Sequence, residues 1–201
     1  MALSRSETSI RCSAEAAKVF VDWYYQSVNE GKPVAGAYVT NNATYRASGH
    51  PPSDICANGL VVATPEEWDQ MLAQQRFIPA NAAASAATTS TTIGRSPPSA
   101  VNYDVECYDA HVINPDFRFA APPALLTDGK AHGSGESNGA GVRMMVMVSV
   151  SGTVTFGLEK DAPKQHFSDV FILVPNWDVI AKHGSRGTRR YIVASQTYRA
   201  Y

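Results

Sequence analysis

The fold of this chain is decided by the stretch Phe167-Ser-Asp-Val-Phe-Ile-Leu-Val174. It is rich in β-branched and aromatic residues and ends at Pro175, which is typical of a β-strand. Because side chains alternate between the two faces of a strand, the stretch carries two sets of residues. The first set is apolar apart from one acid and comprises Phe167, Asp169, Phe171 and Leu173. The second set is wholly aliphatic and comprises Val170, Ile172 and Val174.

Two further stretches repeat this pattern, one from Arg143 to Phe156 and one from Arg190 to Tyr198. In the earlier stretch, Met145 and Met147 lie opposite an aliphatic set that continues as far as Val150. In the later stretch the set that matches the second face comprises Tyr191, Val193, Ser195 and Thr197. We predict three consecutive antiparallel strands. An antiparallel sheet with one face in water alternates apolar and polar residues, whereas this sheet is largely apolar on both faces.

The second apolar face of the sheet needs a cover. The chain's own helices can pack on one face, and an exposed apolar patch of this size on the other face usually marks an interaction site. The alternative is that a loop or helix of the same chain covers it. Little amphipathic helix remains unassigned in the sequence, which favours a partner protein.

Composition and charge limit the classes of protein to which the chain can belong. The chain has 201 residues, 44% of them hydrophobic, and a net charge of −1. This predicts one domain with a real core and no general attraction to nucleic acid or anionic membranes. No apolar run approaches the roughly 18 residues that a membrane span needs, and the N-terminus lacks a signal-peptide core. Three widely spaced cysteines, Cys12, Cys56 and Cys107, fit neither a disulfide framework nor a zinc site and indicate a reducing compartment.

The first helix is predicted to begin at Ser13 as its N-cap and to end near Glu30, before Gly31. Residues 1–12 are then an N-terminal tail. Apolar residues recur at helical spacing along this helix, so that it presents one broad apolar stripe. The inner face of the sheet is the natural target for that stripe.

The next segments are shorter. We predict a helical turn over residues 35–39, a short strand over residues 43–47 and a turn-rich connection over residues 50–63. Thr64-Pro-Glu-Glu67 is a strong helix start, with the threonine as cap, proline at the first helical position and a capping box. Residues 101–113 alternate apolar and polar at first and predict a half-buried strand.

Two insertions interrupt this order, at about residues 79–100 and 115–141. The first is rich in alanine, serine and threonine, and the second ends in a glycine-rich run. Without them, residues 13–201 form a single domain in which helices come early and strands late. The predicted class is therefore α+β, with helices packed on an antiparallel sheet.

Several strings of the sequence are similar to those of the nuclear transport factor 2-like family, whose fold is a cone of helices against a strongly bent antiparallel sheet. The matching strings are Phe20-Val-Asp-Trp-Tyr24, Tyr38-Val-Thr-Asn-Asn-Ala-Thr-Tyr45, Thr64-Pro-Glu-Glu-Trp68, Phe167-Ser-Asp-Val-Phe-Ile-Leu-Val-Pro-Asn176 and Ser195-Gln-Thr-Tyr-Arg199. They cover most of the chain apart from the insertions. Within the family, Cys107-Tyr-Asp-Ala-His-Val-Ile-Asn114 and the long loop after it resemble the small subunit of the fungal mRNA-export receptor.

This resemblance implies a non-catalytic subunit without a cofactor. Its partner would be the nuclear transport factor 2-like domain of the large receptor subunit, and the heterodimer would bind phenylalanine-glycine nucleoporins. It would carry mRNA and pre-60S ribosomal particles through the nuclear pore and shuttle between nucleus and cytoplasm. The implied partner interface comprises Met145, Met147, Val170, Ile172, Val174, Tyr191, Val193, Ser195 and Thr197.

Enzymes share this fold, so the chemistry of individual residues has to be weighed separately. Asp169 is the sharpest candidate for an acid or base, because it shares the inner set with phenylalanines and burial would raise its pKa. Tyr24 or Tyr38 could hydrogen-bond to it. The competing interpretation, which we favour, places Asp169 near a strand end, solvated at the mouth of the cone. The enzyme alternative is an isomerase or dehydratase that works as a homodimer.

The remaining polar motifs carry less information. No two of the five histidines have metal-ligand spacing on one helix, and His111 beside Asp109 is more typical of a surface contact than of a catalytic dyad. The basic stretch of residues 182–190 is a candidate RNA contact, although such a stretch is usually a solvated loop. The second insertion is the other candidate for RNA or pre-ribosome binding. Its large apolar residues either fold back or bind cargo: Phe117, Phe119, Leu125 and Leu126.

Overall fold

The structure is a computed structural model that describes residues 5–76, 101–126, 143–181 and 189–201. Its elements are α1 (Arg5–Asn29), two short 3₁₀ turns (Ala35–Ala37 and Val39–Asn41), α2 (Ala43–Ala47), β1 (Asp54–Ala57), β2 (Leu60–Val62), α3 (Pro65–Gln75), β3 (Val101–Asn114), α4 (Pro123–Leu126), β4 (Met145–Phe156), β5 (Lys164–Pro175), α5 (Trp177–Ala181) and β6 (Tyr191–Ala200). The predicted insertion at 79–100 and residues 127–141 of the second insertion lie outside the described residues.

The described strands form one mixed sheet in the order β2-β1-β6-β5-β4-β3. The three strands predicted from the closing third of the sequence pair antiparallel in its centre, as expected. The predicted α+β class with helices packed on a largely antiparallel sheet is confirmed, and the one parallel pair among the described strands is β1 with β6. β1 and β2 also replace the predicted turn-rich connection. Asn58 and Gly59 both have positive φ and form the two-residue turn that joins them.

The first helix is longer at its N-terminus than the sequence predicted. α1 begins at Arg5, and the Oγ of Ser13 donates to the carbonyl of Ile10 at 2.9 Å from inside the helix. Ser13 is therefore not the N-cap, and residues 5–12 are helical instead of belonging to a tail. The predicted end is confirmed, since α1 stops at Asn29 and Gly31 takes a positive φ of 69°.

The predicted strand at residues 43–47 is the helix α2. The side chain of Asn42 accepts a hydrogen bond from the backbone N–H of Tyr45 at 3.1 Å, which is an N-cap that the strand prediction overlooked. The predicted start of α3 is confirmed. Thr64 caps it by accepting from the N–H of Glu67, and the Glu67 carboxylate accepts from the N–H of Ala63.

The core lies between α1 and the inner face of the sheet. The ring of Phe171 on β5 packs edge-on against Phe20 and Tyr24 of α1, with centroids 5.0 and 4.9 Å apart. On β4 the buried residues alternate with half-buried ones, as predicted. Gly152 lies opposite a β-bulge in β3, where a Cβ would collide with the carbonyl oxygen of Asp104, so only glycine fits.

Candidate partner-binding face of the sheet

The face of the sheet that points away from α1 carries a band of half-buried residues in two rows across the strands. In one row Val170 pairs with Ser149 on β4 and with Thr197 on β6, which lies next to Cys56 of β1. In the other row Ile172 pairs with Met147 and Ser195. We call this set the outer band; its members are Cys56, Met147, Ser149, Val170, Ile172, Ser195 and Thr197.

The outer band has a polar margin at both ends of its rows. The second row runs from exposed Asp54 on β1 to His111 on β3, and Asp109 ends the first row on that side. Asp109 uses its carboxylate locally, accepting the N–H of Ala110 at 2.8 Å, so the structure gives no support to a dyad with His111. An apolar centre with a polar rim is the usual anatomy of a protein–protein interface.

Two residues that the sequence assigned to this face lie on the other one. Ile172 pairs with Ser195 but Leu173 pairs with Val193, so Ala194 is an extra residue that forms a β-bulge. The bulge reverses the phase of β6, because strict alternation holds only along an unbroken ladder. Tyr191 and Val193 therefore belong to the inner core, where they are 6% and 0% exposed. Their assignment to a partner interface was wrong.

Val174 and Met145 lie on the outer side, but the chain itself covers that end of the sheet. Val174 is buried in a second cluster, and Met145 packs against it. The core of this cluster comprises Val39, Tyr45, Phe117, Val174, Trp177 and Ile192. The indole N–H of Trp177 donates to the carbonyl of Phe119 at 2.9 Å and ties the segment after β3 to α5. Within the described residues, the chain covers one end of the outer face and leaves the band half-exposed.

The described part of the second insertion folds back on the domain. Phe117 is buried in the second cluster and Leu125 packs against it. Phe119 remains 42% exposed, and Leu126 is half-buried. As surface for a cargo, Phe117 is therefore excluded, whereas Phe119 is accessible. Residues 182–188 of the basic stretch lie outside the described residues.

Asp169 is buried inside the cone, with 1% of its surface exposed. Its Oδ2 accepts hydrogen bonds from the hydroxyl of Tyr25 at 3.1 Å and the amide of Gln196 at 2.8 Å. The prediction of a solvated carboxylate at the cone mouth was wrong because β5 begins at Lys164, three residues earlier than the sequence indicated. Asp169 therefore sits well inside the strand, beneath α1.

The carboxylate of Asp169 belongs to a closed network of polar groups. Tyr24 and Tyr38, the two partners that the sequence suggested, bond to each other at 3.2 Å and reach Asp169 only through Gln196. The indole N–H of Trp68 donates to the Tyr24 hydroxyl at 2.8 Å. Two members of the network, Tyr25 and Gln196, were not predicted from the sequence. Gln196 could have been found from the sequence, because it is a polar residue at an inward position of β6 whose other inward residues are apolar.

Burial controls the electrostatics of this network. It raises the pKa of Asp169 well above its usual range, and the hydrogen bonds from Gln196 and Tyr25 offset only part of that effect. Burial also raises the pKa of the Tyr25 hydroxyl well above its ordinary value. The Oδ1 of Asp169 has no hydrogen-bond partner among the described residues. A carboxyl group in this setting favours its neutral form and acts as a structural acceptor beneath α1.

Among the residues that the structure describes, no three histidine, cysteine, aspartate or glutamate side chains come together as metal ligands. No helix within the described ranges is long and apolar enough to span a membrane.

Solved structures similar to this chain are known. A complex described as the Chaetomium thermophilum Mex67 NTF2-like domain complexed with Mtr2 contains a chain that is 50% identical, with a TM-score of 0.76. A structure of Mtr2 and one of a Sac3N peptide bound to Mex67:Mtr2 are each 52% identical, with TM-scores of 0.74 and 0.72. In all three cases the match covers 94% of this chain and 99% of the other. No protein-family model and no curated protein sequence matches the chain.

Proposed function

Since the chain belongs to the Mtr2 family of NTF2-like proteins, we propose that it is the small, non-catalytic subunit of a heterodimeric mRNA-export receptor. Its partner is the NTF2-like domain of a Mex67-type large subunit. The outer band is the observation that supports this assignment, because it combines aliphatic side chains with small hydroxyl-bearing ones on a part of the sheet that the described residues leave uncovered. Interfaces of this kind bury about 1,600 Å² in total.

The heterodimer binds phenylalanine-glycine nucleoporins and carries mRNA and pre-60S particles through the nuclear pore, shuttling between nucleus and cytoplasm. The family resemblance supports this part of the proposal. Phe119 and Leu126 are the described residues of the second insertion that stay available for cargo, because Phe117 is buried and Leu125 packs against the second cluster. The basic residues 182–190 are a further candidate for RNA phosphates.

The test is pairing between the full chain and the NTF2-like domain of the large subunit, followed by light scattering across a dilution series. We expect a 1:1 complex. Val170→Asp or Ile172→Glu should weaken it more than about 100-fold, because each buries an unpaired charge that costs about 3–5 kcal/mol. Leu158→Asp is the matched control, since Leu158 is 90% exposed in the turn after β4 and its replacement should leave pairing unchanged. Pairing that survives both outer-band changes contradicts the proposal.

The same light-scattering experiment separates this function from the enzyme alternative. An isolated chain that forms a tight homodimer would favour an enzyme with Asp169 as acid or base. The geometry opposes that alternative, because a substrate would have to reach a carboxylate that is 1% exposed and already bonded to Tyr25 and Gln196.

A further inference from the structure

A groove of about 740 Å³ lies between α1 and the edge strand β3, on the opposite side of the sheet from the outer band. Its apolar walls come from Val21 and Tyr25 on α1 and from Val105 and Tyr108 on β3. We propose that this groove binds an extended peptide segment with basic side chains, which adds to β3 as a further strand. Strand addition beside a helix is a common mode of peptide recognition, since backbone hydrogen bonds supply affinity and side-chain pockets supply specificity.

Asn29 shows that the β3 edge can form strand-like pairs in this groove. Its side-chain amide donates to the carbonyl of Tyr103 at 2.9 Å and accepts from the N–H of Tyr103 at 2.7 Å. A neighbouring strand would make these same two bonds. The backbone of Tyr103 therefore points into the groove, away from β4, and already has one substitute partner.

Beyond Tyr103, the backbone groups of β3 that do not bond to β4 also point into the groove. Val105 and Tyr108 pair with β4 in the same phase as Tyr103, because the β-bulge between Val105 and Cys107 absorbs one residue. Further along, the N–H of Ala110 is satisfied by the carboxylate of Asp109. Among the described residues no side chain caps the edge-facing backbone of Val105 or Tyr108. Side chains thus cap the backbone of β3 at Tyr103 and at Ala110. The segment between them, Val105 to Tyr108, lines the groove.

The charges that line the groove select the kind of peptide. The carboxylates that line it are Asp22, Glu30 and Glu106, and no lysine or arginine of the described residues lines it. Glu106 accepts a hydrogen bond from the Thr153 hydroxyl at 2.6 Å, so Asp22 and Glu30 are the two carboxylates that carry the charge argument. Lys18 pairs with Asp22 at 2.6 Å and Lys32 pairs with Glu30 at 2.5 Å from outside the lining, in exposed contacts that a ligand can displace at little cost. Acidic walls attract a cationic segment and repel nucleic-acid phosphates.

Tyr108 adds a contact for the basic side chains. It is 39% exposed at the groove, and an arginine or lysine that reaches the carboxylates can lie against its ring. The floor is closed by Tyr25, whose hydroxyl is held by Asp169. The groove therefore has a rigid apolar floor, an acidic wall and a strand edge that no described strand pairs with.

The test is fluorescence anisotropy of the full chain, bound to its NTF2-like partner, with a labelled peptide Gly-Arg-Val-Arg-Val-Arg-Gly. The matched probe replaces every arginine with glutamate. We expect saturable binding of the basic peptide only, and a loss of at least tenfold in affinity for the double variant Asp22→Lys, Glu30→Lys. The control is Glu159→Lys, Asp161→Lys, which makes the same charge change at exposed positions in the β4–β5 turn and should leave binding unchanged.

Three results would overturn the proposal: no saturation at millimolar peptide, equal binding of the acidic peptide, or an unchanged affinity in the groove variant. Melting temperatures of both variants verify that they fold. Amide NMR shifts in the native chain provide a second readout, because strand addition predicts the largest changes at Val105 and Tyr108. Shifts centred on the outer band would contradict it. Pairing with the large subunit is measured separately, so failure of this proposal leaves the export function untouched.

Discussion

Phe171 and Ile172 are neighbours in β5 and lie on opposite faces of one sheet. Phe171 is 0% exposed and packs against two rings of α1, whereas Ile172 is half-buried among strand neighbours in the outer band. Both side chains are large and apolar, so hydrophobicity alone does not distinguish them. The difference shows that the chain's own helix completes the inner face, whereas the described residues leave the outer band half-exposed. Substitutions on the two faces should therefore affect different measurements.

The largest effect on stability is expected from Phe171→Ala. Removing a buried ring leaves a cavity between β5 and α1 and should lower the free energy of unfolding by about 3–5 kcal/mol. Chemical denaturation of the isolated chain measures it. Leu158→Ala is the control, because that side chain is exposed and its loss should change stability by less than about 0.5 kcal/mol. A loss below about 1.5 kcal/mol for Phe171→Ala would show that the inner face is not tightly packed.

An intermediate effect that depends on pH is expected from Asp169→Asn. The folded state raises the pKa of this carboxyl above its unfolded value, so the folded chain holds the proton to higher pH. Between about pH 4 and the folded pKa, stability therefore falls as pH rises, by at most about 1.4 kcal/mol per pH unit.

The amide of the Asp169→Asn variant cannot titrate, so it should gain stability relative to the native chain between pH 5 and pH 8. Unfolding free energies of both proteins at the two pH values measure this difference. Asp161→Asn provides an exposed control with no such gain. Parallel pH profiles of the native chain and the Asp169→Asn variant would show that folding does not raise the pKa of the Asp169 carboxyl.

The smallest effect on stability is expected from Ile172→Ala. In the isolated chain the half-buried side chain should contribute less than about 1 kcal/mol. Pairing with the large subunit should weaken by about five- to thirtyfold, since an anchor at the centre of an interface contributes about 1–2 kcal/mol. Titration calorimetry of the complex together with denaturation of the free chain separates the two effects. A large loss in the free chain would place Ile172 in the monomer's own core.

Much of the candidate site could be predicted from local sequence. Alternation identified the two faces of β4 and β5 and placed Met147, Val170 and Ile172 on the outer side, where the structure has them. The two residues assigned to the wrong face, Tyr191 and Val193, were misplaced because β6 contains one extra residue. Ala194 forms a β-bulge that moves Tyr191 and Val193 to the inner face, and no residue type in β6 predicts this bulge. Strand alternation is a local rule, whereas the position of a bulge depends on the register with β5.

The depth of Asp169 in the fold also could not be predicted from local sequence, for a different reason. The sequence placed Asp169 among phenylalanines on the inner set, which is correct, but not beneath the helix. Its depth depends on where β5 starts and on how α1 crosses the strand. The tyrosine that bonds it lies 144 positions away in the chain, and such a pairing follows from packing of two distant elements.

By itself the sequence determined the α+β fold class, the central strands, the start of α3 and the presence of two apolar sheet faces. Each of these features follows from residue type and spacing within one segment. Only the tertiary structure decided which end of the outer face the second cluster covers, where the phase of β6 reverses and how deep Asp169 lies. These features depend on contacts between segments far apart in the chain. Short-range patterns carry no information about such contacts until the segments are packed together.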